Sequence, residues 1–360
     1  MESNFNFCGT PVISKKRGLV TEVAISGHSS PALSFNLGVK DANGNIGYVE
    51  IFAFEPNVIK TKDMNDNEIE IDASDRFDEN ILANIPDYRK FVVQLDERKE
   101  FLTEYDMITY LQEIIPTYEG DIIVTGRYRK NYNPKSKTYN DRFSARGFYA
   151  ARDDQKRQLK VRMDLYYTKG SFDKSDLVTE KKAHLDAFIP CYINKDLGTK
   201  FFPVQCVFNT AAYDMENERH KAQYDYKMKF LDVSNKTYVH ILWDIVYVNG
   251  AQKVEFDESC LTDLQKQQIE LGLASLDDFK PRGSIYGDSV KEFRLFRPHL
   301  TDEFADGLVD TELTESDFDD LKFVPSAPIS MNDAINAASA AKAAAEAKTT
   351  AEPVSDDDLF

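Results

Sequence analysis

Cysteine, histidine and tryptophan are scarce in this chain of 360 residues, which holds four, five and one of them. Cys8, Cys191, Cys206 and Cys260 are spread over the whole length without a C-x-x-C pair. That excludes a disulfide framework and a compact zinc site, and leaves buried free thiols as the expectation. His28, His184, His220, His240 and His299 form no local ligand pair, and only convergence of His184, Cys191 and Cys206 in space would hold a metal. Core and surface roles are expected instead, with no metal and no cofactor. The absence of a G-x-x-x-x-G-K-[ST] phosphate loop argues against an ATP-driven motor. "DMNDNE" at 63–68 starts like a calcium loop, but Glu68 stands where the turn needs glycine and Ser74 where an acid should close the site. No long uncharged apolar run occurs, the mean hydropathy is −0.47, and "MESNFNFCGT" has neither a basic start nor an apolar core. Neither a membrane span nor a secretory leader is expected, and the chain reads as cytoplasmic.

What is present is ample core material, 42% hydrophobic and 12% aromatic, and an uneven charge. The net charge is −17, yet residues 301–360 hold fifteen Asp and Glu against three Lys, a net of −12, leaving −5 on residues 1–300. Residues 121–150 run the other way. Arg127, Arg129, Lys130, Lys135, Lys137, Arg142 and Arg146 face only Asp121 and Asp141, a net of +5. Anionic tail and cationic patch are segregated along one polypeptide.

Alternating stretches at 17–26, 32–41 and 46–55 read as three strands, the last two joined through "DANGN", whose Asn-Gly favours a tight hairpin turn. After a polar insertion at 56–80, Thr103 and Asp106 stand at capping-box spacing before Ile108, Leu111 and Ile115, which recur on one helical face until Pro116. "DIIVTGRYRKNY" and "TYNDRFSARGFYA" then form a hairpin around "NPKSK". Three strands, a helix and two strands is the order of the five-stranded OB barrel. From residue 159 further strands are expected at "LKVRMDLYYT", "AHLDAFIPCYI", "KFFPVQCVFNTA", "AQYDYKMKFLDV" and "TYVHILWDIVYV", then a helix at 261–279 and one closing strand in "SVKEFRLFRP". This second region is OB-like with extra strands before its helix and one missing after it. The expected fold class is mostly β, an OB-like barrel followed by a second strand-rich, OB-like region and a disordered acidic tail. The solitary Trp243 lies in an apolar run, which assigns it to the core.

The hairpin carries the functional signal. Sequence-tolerant binding of a single nucleic-acid strand needs cations for phosphates and flat rings for bases, and both alternate here. Tyr128, Lys130 and Tyr132 share one strand face and Arg127 and Arg129 the other; beyond the turn, Arg142, Arg146 and Phe148 lie opposite Tyr139 and Phe143. Lys135 and Lys137 sit in the turn, and Lys15, Lys16 and Arg17 precede a strand and would extend the phosphate track, as would Lys227 and Lys229. The plain alternative is a solvated hairpin whose rings brace the barrel. Seven cations concentrated in an acidic chain favour binding.

The tail has its own pattern: an acidic segment at 301–324, then a low-complexity, alanine-rich stretch, then "SDDDLF". A segment so poor in bulky apolar residues cannot offset its ordering entropy. A barrel with a basic aromatic hairpin, a low-complexity linker and an acidic tip ending in Phe resembles the single-stranded DNA-binding proteins of bacteria and their phages. Asp356, Asp357, Asp358, Leu359 and Phe360 match that tip. The expected organisation is an OB-like nucleic-acid-binding domain at 1–155, a second β-rich domain at 156–300, the acidic segment at 301–324 and a flexible linker and tip at 325–360, and the resemblance implies the first and the last of these. It also implies a non-enzymatic protein that coats single-stranded DNA and recruits replication or recombination proteins through its tip. The length and second barrel look more like a phage-encoded relative than the short bacterial form. A phage structural or assembly protein using its barrels for protein contacts is the alternative.

Overall fold

In the computed structural model, which describes residues 3–25, 31–254, 261–280, 285–302, 304 and 307–325, the Asn-Phe alternation at the N-terminus is a strand, β1 (Asn4–Val12). Its Phe5 and Phe7 are buried while Asn4 and Asn6 face solvent. This corrects the expectation of a first strand at 17–26. Of that stretch only Val20–Val23 forms β2, a short strand on the edge of β3 (Ala32–Lys40) that buries none of its side chains. β3 pairs with β4 (Ile46–Ala53) through the expected turn. Asp41 accepts hydrogen bonds from the backbone N–H groups of Asn43 and Asn45, both 2.9 Å, and Gly44 takes φ +87°.

The insertion that follows contains β5 (Val58–Lys62), β6 (Glu68–Asp72), α1 (Glu79–Ala83), β7 (Phe91–Gln94) and β8 (Arg98–Phe101). The "DMNDNE" loop repeats the Asp41 device: Asp63 accepts from the N–H groups of Asn65 and Asn67 at the β5–β6 turn. Ile59, Ile71, Ile85 and Leu102 form a small core of their own. α2 (Glu104–Ile114) is capped by Thr103 as expected, the hydroxyl accepting from Asp106 N–H at 3.1 Å, and it buries Met107, Ile108 and Leu111. β9 (Ile122–Asn133) and β10 (Thr138–Ala150) complete the first ring. Its order is β1, β3, β4, β10, β9 and back to β1, with β4 and β10 parallel and every other pair antiparallel or hairpin-linked. A helix between the third and fourth ring strands and a parallel closing pair define the OB topology.

The second ring repeats it. β11 (Leu159–Tyr167), β13 (Lys182–Asn194), β14 (Gly198–Asn209), β16 (Ile285–Pro298) and β15 (Val239–Val254) close in that order, with β14 and β16 parallel; β12 (Phe172–Asp173) is an edge piece on β13. The helix between the third and fourth ring strands is α3 (Glu218–Leu231), capped by Asn217. That corrects the expected strand at "AQYDYKMKFLDV". Tyr224, Tyr226, Met228 and Phe230 alternate like a strand, yet Tyr224 packs on Phe208 and Tyr213 and Leu231 is buried, which is helical spacing. The helix expected at 261–279 is the shorter α4 (Asp263–Glu270), inside the β15–β16 connection, with its Thr262–Gln265 capping box formed. No strand is missing: with β1 and β11 as first strands, both rings have five. Beyond β16 come β17 (Val309–Asp310), which pairs with β15, and α5 (Glu315–Leu321).

β1 fuses the rings. Its residues 4–7 pair with β9 on one side and β11 on the other, so one continuous sheet runs through both barrels. The inward rings of both form one aromatic cluster: Phe143 meets Phe5, Phe7, Tyr128 and Tyr247 at 4.8–5.4 Å, and Phe293 lies 5.4 Å from Tyr128 and 5.1 Å from Tyr247. Gly126 is obligatory there, because a Cβ would stand 2.1 Å from Ser144 O. Trp243 is fully buried, as expected.

The structure divides into two units. The main one, residues 1–130 with 141–322, contains both barrels; the other, among the described residues, comprises 131–140 and 323–325. In the smaller unit Asn133 accepts from Lys135 and Ser136 N–H, Lys137 takes φ +54°, and the rings of Tyr132, Tyr139 and Phe323 cluster at 5.3–6.4 Å.

Candidate nucleic-acid interface

Strand alternation in β9 and β10 separates charge from ring. The inward positions hold Tyr128, Phe143 and, past the point where β10 joins β7, Phe148, which meets Phe35 edge-on at 5.7 Å. All three are at most 3% exposed. They are core residues, which corrects their reading as base-stacking surfaces: the barrel needs their apolar area more than a ligand does. Tyr128 donates its hydroxyl to Asp141 at 2.8 Å, and burial, with the Asp141 carboxylate behind it, pushes that phenol well above its ordinary value. Lys130 also turns inward, 3.7 Å from Asp141, whose other oxygen takes Lys291 at 2.7 Å. Lys130 is therefore matched by a carboxylate rather than presented to solvent.

The outward positions hold Arg127, Arg129, Arg142 and Arg146. All four act on the charge of Glu104, the first residue of α2. Burial raises the Glu104 carboxyl, and Arg146, Arg142, Arg127 and Arg129 pull it back down. Arg142 Nε lies 2.7 Å from Glu50, and Arg146 lies over the Phe91 ring at 5.2 Å and donates to Tyr88 O at 3.3 Å. Four arginines against Glu104 and Glu50 leave a net positive field over this part of the barrel.

The registers carry the row onward. Arg127 stands opposite Asn4, Asn4 opposite Arg162, Arg162 opposite Asp244 and Asp244 opposite Arg297; one step along, Asn6 stands between Thr125 and Lys160. Directly paired residues share a sheet face, so this is one outward row crossing β9, β1, β11, β15 and β16. At about 4.8 Å per strand it extends about 19 Å along the sheet. Asp244 accepts from Arg162 at 2.9 Å and Arg297 at 3.0 Å. Burial alone would raise its carboxyl, but these bonds outweigh it and hold the group below its ordinary value. Asn4, Asn6, Lys160, Arg162 and Arg297 were not among the residues singled out from sequence. Their signal is period-two alternation in "NFNF" and "LKVRM", which needs the strand pairing before it becomes a surface.

Lys15, Lys16 and Arg17 lie exposed in the turn between β1 and β2, where Ser14 accepts from Arg17 N–H. In the smaller unit Lys135 and Lys137 are exposed at the hairpin turn, and Tyr132 and Tyr139 are half-buried against Phe323. Lys227 is not part of a phosphate track. It donates to Tyr213 at 2.7 Å and packs against Phe296, and burial lowers its pKa. Cys191 faces Lys200 and Cys206 faces Leu185, six residues apart on β13. Among the described residues no group of three or more His, Cys, Asp or Glu stands in metal-binding arrangement, and no helix is long and apolar enough to cross a membrane. Asp356, Asp357, Asp358, Leu359 and Phe360 lie outside the described residues.

The fold is thus a mostly β protein of two fused OB-type rings. Comparison with protein families and with curated protein sequences gives no match. Among solved structures, the wild-type single-stranded DNA-binding protein from Thermus aquaticus and a deletion mutant of it are similar at 12% identity and a TM-score of 0.28. They cover 69% of this chain and 85% and 87% of their own. A likeness that loose adds nothing to the strand order, which stands on its own pairings.

Proposed function

We propose that this chain is a non-enzymatic, sequence-tolerant binder of single-stranded DNA, whose phosphates follow the outward row from Arg142, Arg129, Arg146 and Arg127 through Asn4 and Asn6 to Lys160 and Arg162. The observation that carries the reading is that row: cations and amides on neighbouring strands, in register, on a sheet continuous through two barrels. Lys15, Lys16, Arg17, Lys135 and Lys137 lie in the loops after the first and fourth strands of the first ring, the L12 and L45 loops with which OB barrels contact oligonucleotides. Base contacts are assigned to the outward rings of β4, the half-exposed Tyr48 and the neighbouring Phe52, in place of the buried Tyr128, Phe143 and Phe148.

In this reading residues 1–155 are the principal binding domain, and the protein protects single strands in the host cytoplasm during phage replication or recombination. The acidic tip at 356–360 recruits partner proteins and competes for the cationic row when no strand is bound. The test is a titration with oligo-dT and with duplex at several salt concentrations. Expected is preference for oligo-dT and an affinity falling steeply with salt. Equal binding of both, or a flat salt response, would overturn the proposal.

A further inference from the structure

On the second barrel, the outer face of the second and third ring strands is closed by the chain itself. β17 hydrogen-bonds along β15, Tyr238 N–H donates to Leu313 O, and Thr311 N–H donates to Tyr238 O, both at 2.9 Å. Thr314 and Asp317 form a complete capping box for α5. The one fully buried residue of α5 is Phe318. Its ring lies flat on Tyr238, with centroids 3.9 Å apart and planes at 10°, and it meets Phe201 at 4.6 Å and Phe188 at 5.1 Å. Phe188 and Phe201 belong to the second and third strands of the ring, the face on which OB barrels take oligonucleotides.

The covering segment is acidic and is held by charge as well as by its ring. Lys200 Nζ donates to Asp320 O at 3.0 Å, and Lys322 is held by Asp319 at 2.6 Å while it lies over Phe188. Lys322 and the acids Glu315, Asp317, Asp319 and Asp320 belong to the covering segment, while the barrel strands carry Lys200 on β14 and Asp186 on β13. We infer that the aromatic face of the second barrel is a peptide receptor, that its occupant is the chain's own segment 309–322 with Phe318 as anchor, and that this segment stays in place when a single strand binds elsewhere. The second ring then fixes the point from which the tail departs. This goes beyond the proposed single-strand binding and stands without it.

The test uses a fluorescein-labelled synthetic peptide of residues 309–325 with the full-length chain and its Phe318→Asp variant, read by anisotropy. The tethered segment is present at a ~millimolar effective concentration, so the unmodified chain should not bind the peptide, whereas F318D should bind it at least ~10-fold more tightly. A peptide carrying the same substitution should bind neither. If F318D does not fold by circular dichroism, Thr314→Ala with Asp317→Asn loosens the segment without touching the barrel, and the same ranking is expected. In parallel, hydrogen exchange of 315–322 in the unmodified chain should not change with saturating oligo-dT. Peptide binding to neither chain, equal binding to both, or faster exchange of 315–322 with oligo-dT would overturn the inference, the last outcome making the face a displaceable nucleic-acid site. Failure of oligo-dT to bind at all would count against the proposed function, and the peptide measurement would still decide this one.

Discussion

The two barrels share a topology and differ in what their outer faces present. On the first, the outward positions of β9 and β10, its fourth and fifth strands, are arginines set against Glu104 and Glu50. On the second, the outward positions of β13 and β14 are rings closed by Phe318, with acids around them. The difference teaches that one ring order can present unlike surfaces on different strands and that the side chains on them decide what each accepts. A cationic face stays open because its charges are better solvated than buried. Phe188, Phe201 and Tyr238 left bare would form an apolar patch, and covering them with a tethered segment removes it.

Removing the arginines should separate the two faces most sharply. A variant with Arg127, Arg129, Arg142 and Arg146 changed to Ala is expected to lose four phosphate contacts. The slope of log affinity against log salt should then shrink by about 2.8, at about 0.7 per contact on a single strand. Contacts of this charge-assisted kind contribute about 1.5 kcal/mol or more each, so affinity for oligo-dT should fall by at least ~100-fold even with strong non-additivity. Unchanged affinity and slope would move the interface off this face. The buried rings should behave in the opposite way. Phe143→Ala is expected to cost about 3–5 kcal/mol of stability by urea titration, because Phe143 joins the cores of both barrels. Tyr128→Phe should cost about 1–3 kcal/mol for the lost partner of buried Asp141 and leave oligo-dT affinity unchanged; a loss of affinity would restore Tyr128 as a contact. Smaller still, Thr103→Ala should cost about 1 kcal/mol by removing the cap of α2.

How much of this was legible in the sequence depends on the range of the interactions involved. β3, β4 and their turn follow from local alternation and Asn-Gly, and α2 from Thr103 and its apolar stripe, so these stand where the pattern put them. α3 was misread because Tyr224, Tyr226, Met228 and Phe230 imitate period two on a helix whose burial is slight. Arg127, Arg129, Arg142 and Arg146 were visible as a cluster because they are close in sequence. Asn4, Arg162 and Arg297 become their neighbours only through the pairing of β1 with β9 and β11, and of β15 with β11 and β16. The burial of Tyr128 and Phe143 is legible only once Tyr247 and Phe293, more than a hundred residues away, are known to meet them. Phe318 was hidden by its acidic neighbours, which read as solvent-exposed tail.

Glu104 offers the finest test of the contrast, because all four arginines act on its charge. Its carboxyl is raised by burial despite Arg146, Arg142, Arg127 and Arg129, so the folded state favours the protonated form relative to the unfolded chain. For an acid shifted upward the sign is the reverse of the usual one. Its contribution is most favourable at low pH and declines as pH rises from the unfolded value, about 4.3, through the raised folded value. Glu104→Gln removes that decline, so the variant should be more stable than the parent at pH 7 and lose the advantage below about pH 4. It also deletes a negative charge beside four arginines. Affinity for oligo-dT at about 0.1 M salt should rise about two- to ten-fold, the range of one screened charge at this depth. Asp244→Asn supplies the internal control on the same row. Burial raises its carboxyl, but the Arg162 and Arg297 bonds prevail and leave it lowered. Its favourable contribution is therefore present above the unfolded value and lost as pH falls through the folded one, and D244N should destabilise at pH 7. Opposite signs of stability change would match burial prevailing at Glu104 and ion pairing prevailing at Asp244; a destabilising E104Q would mean that the pull of the four arginines outweighs burial there.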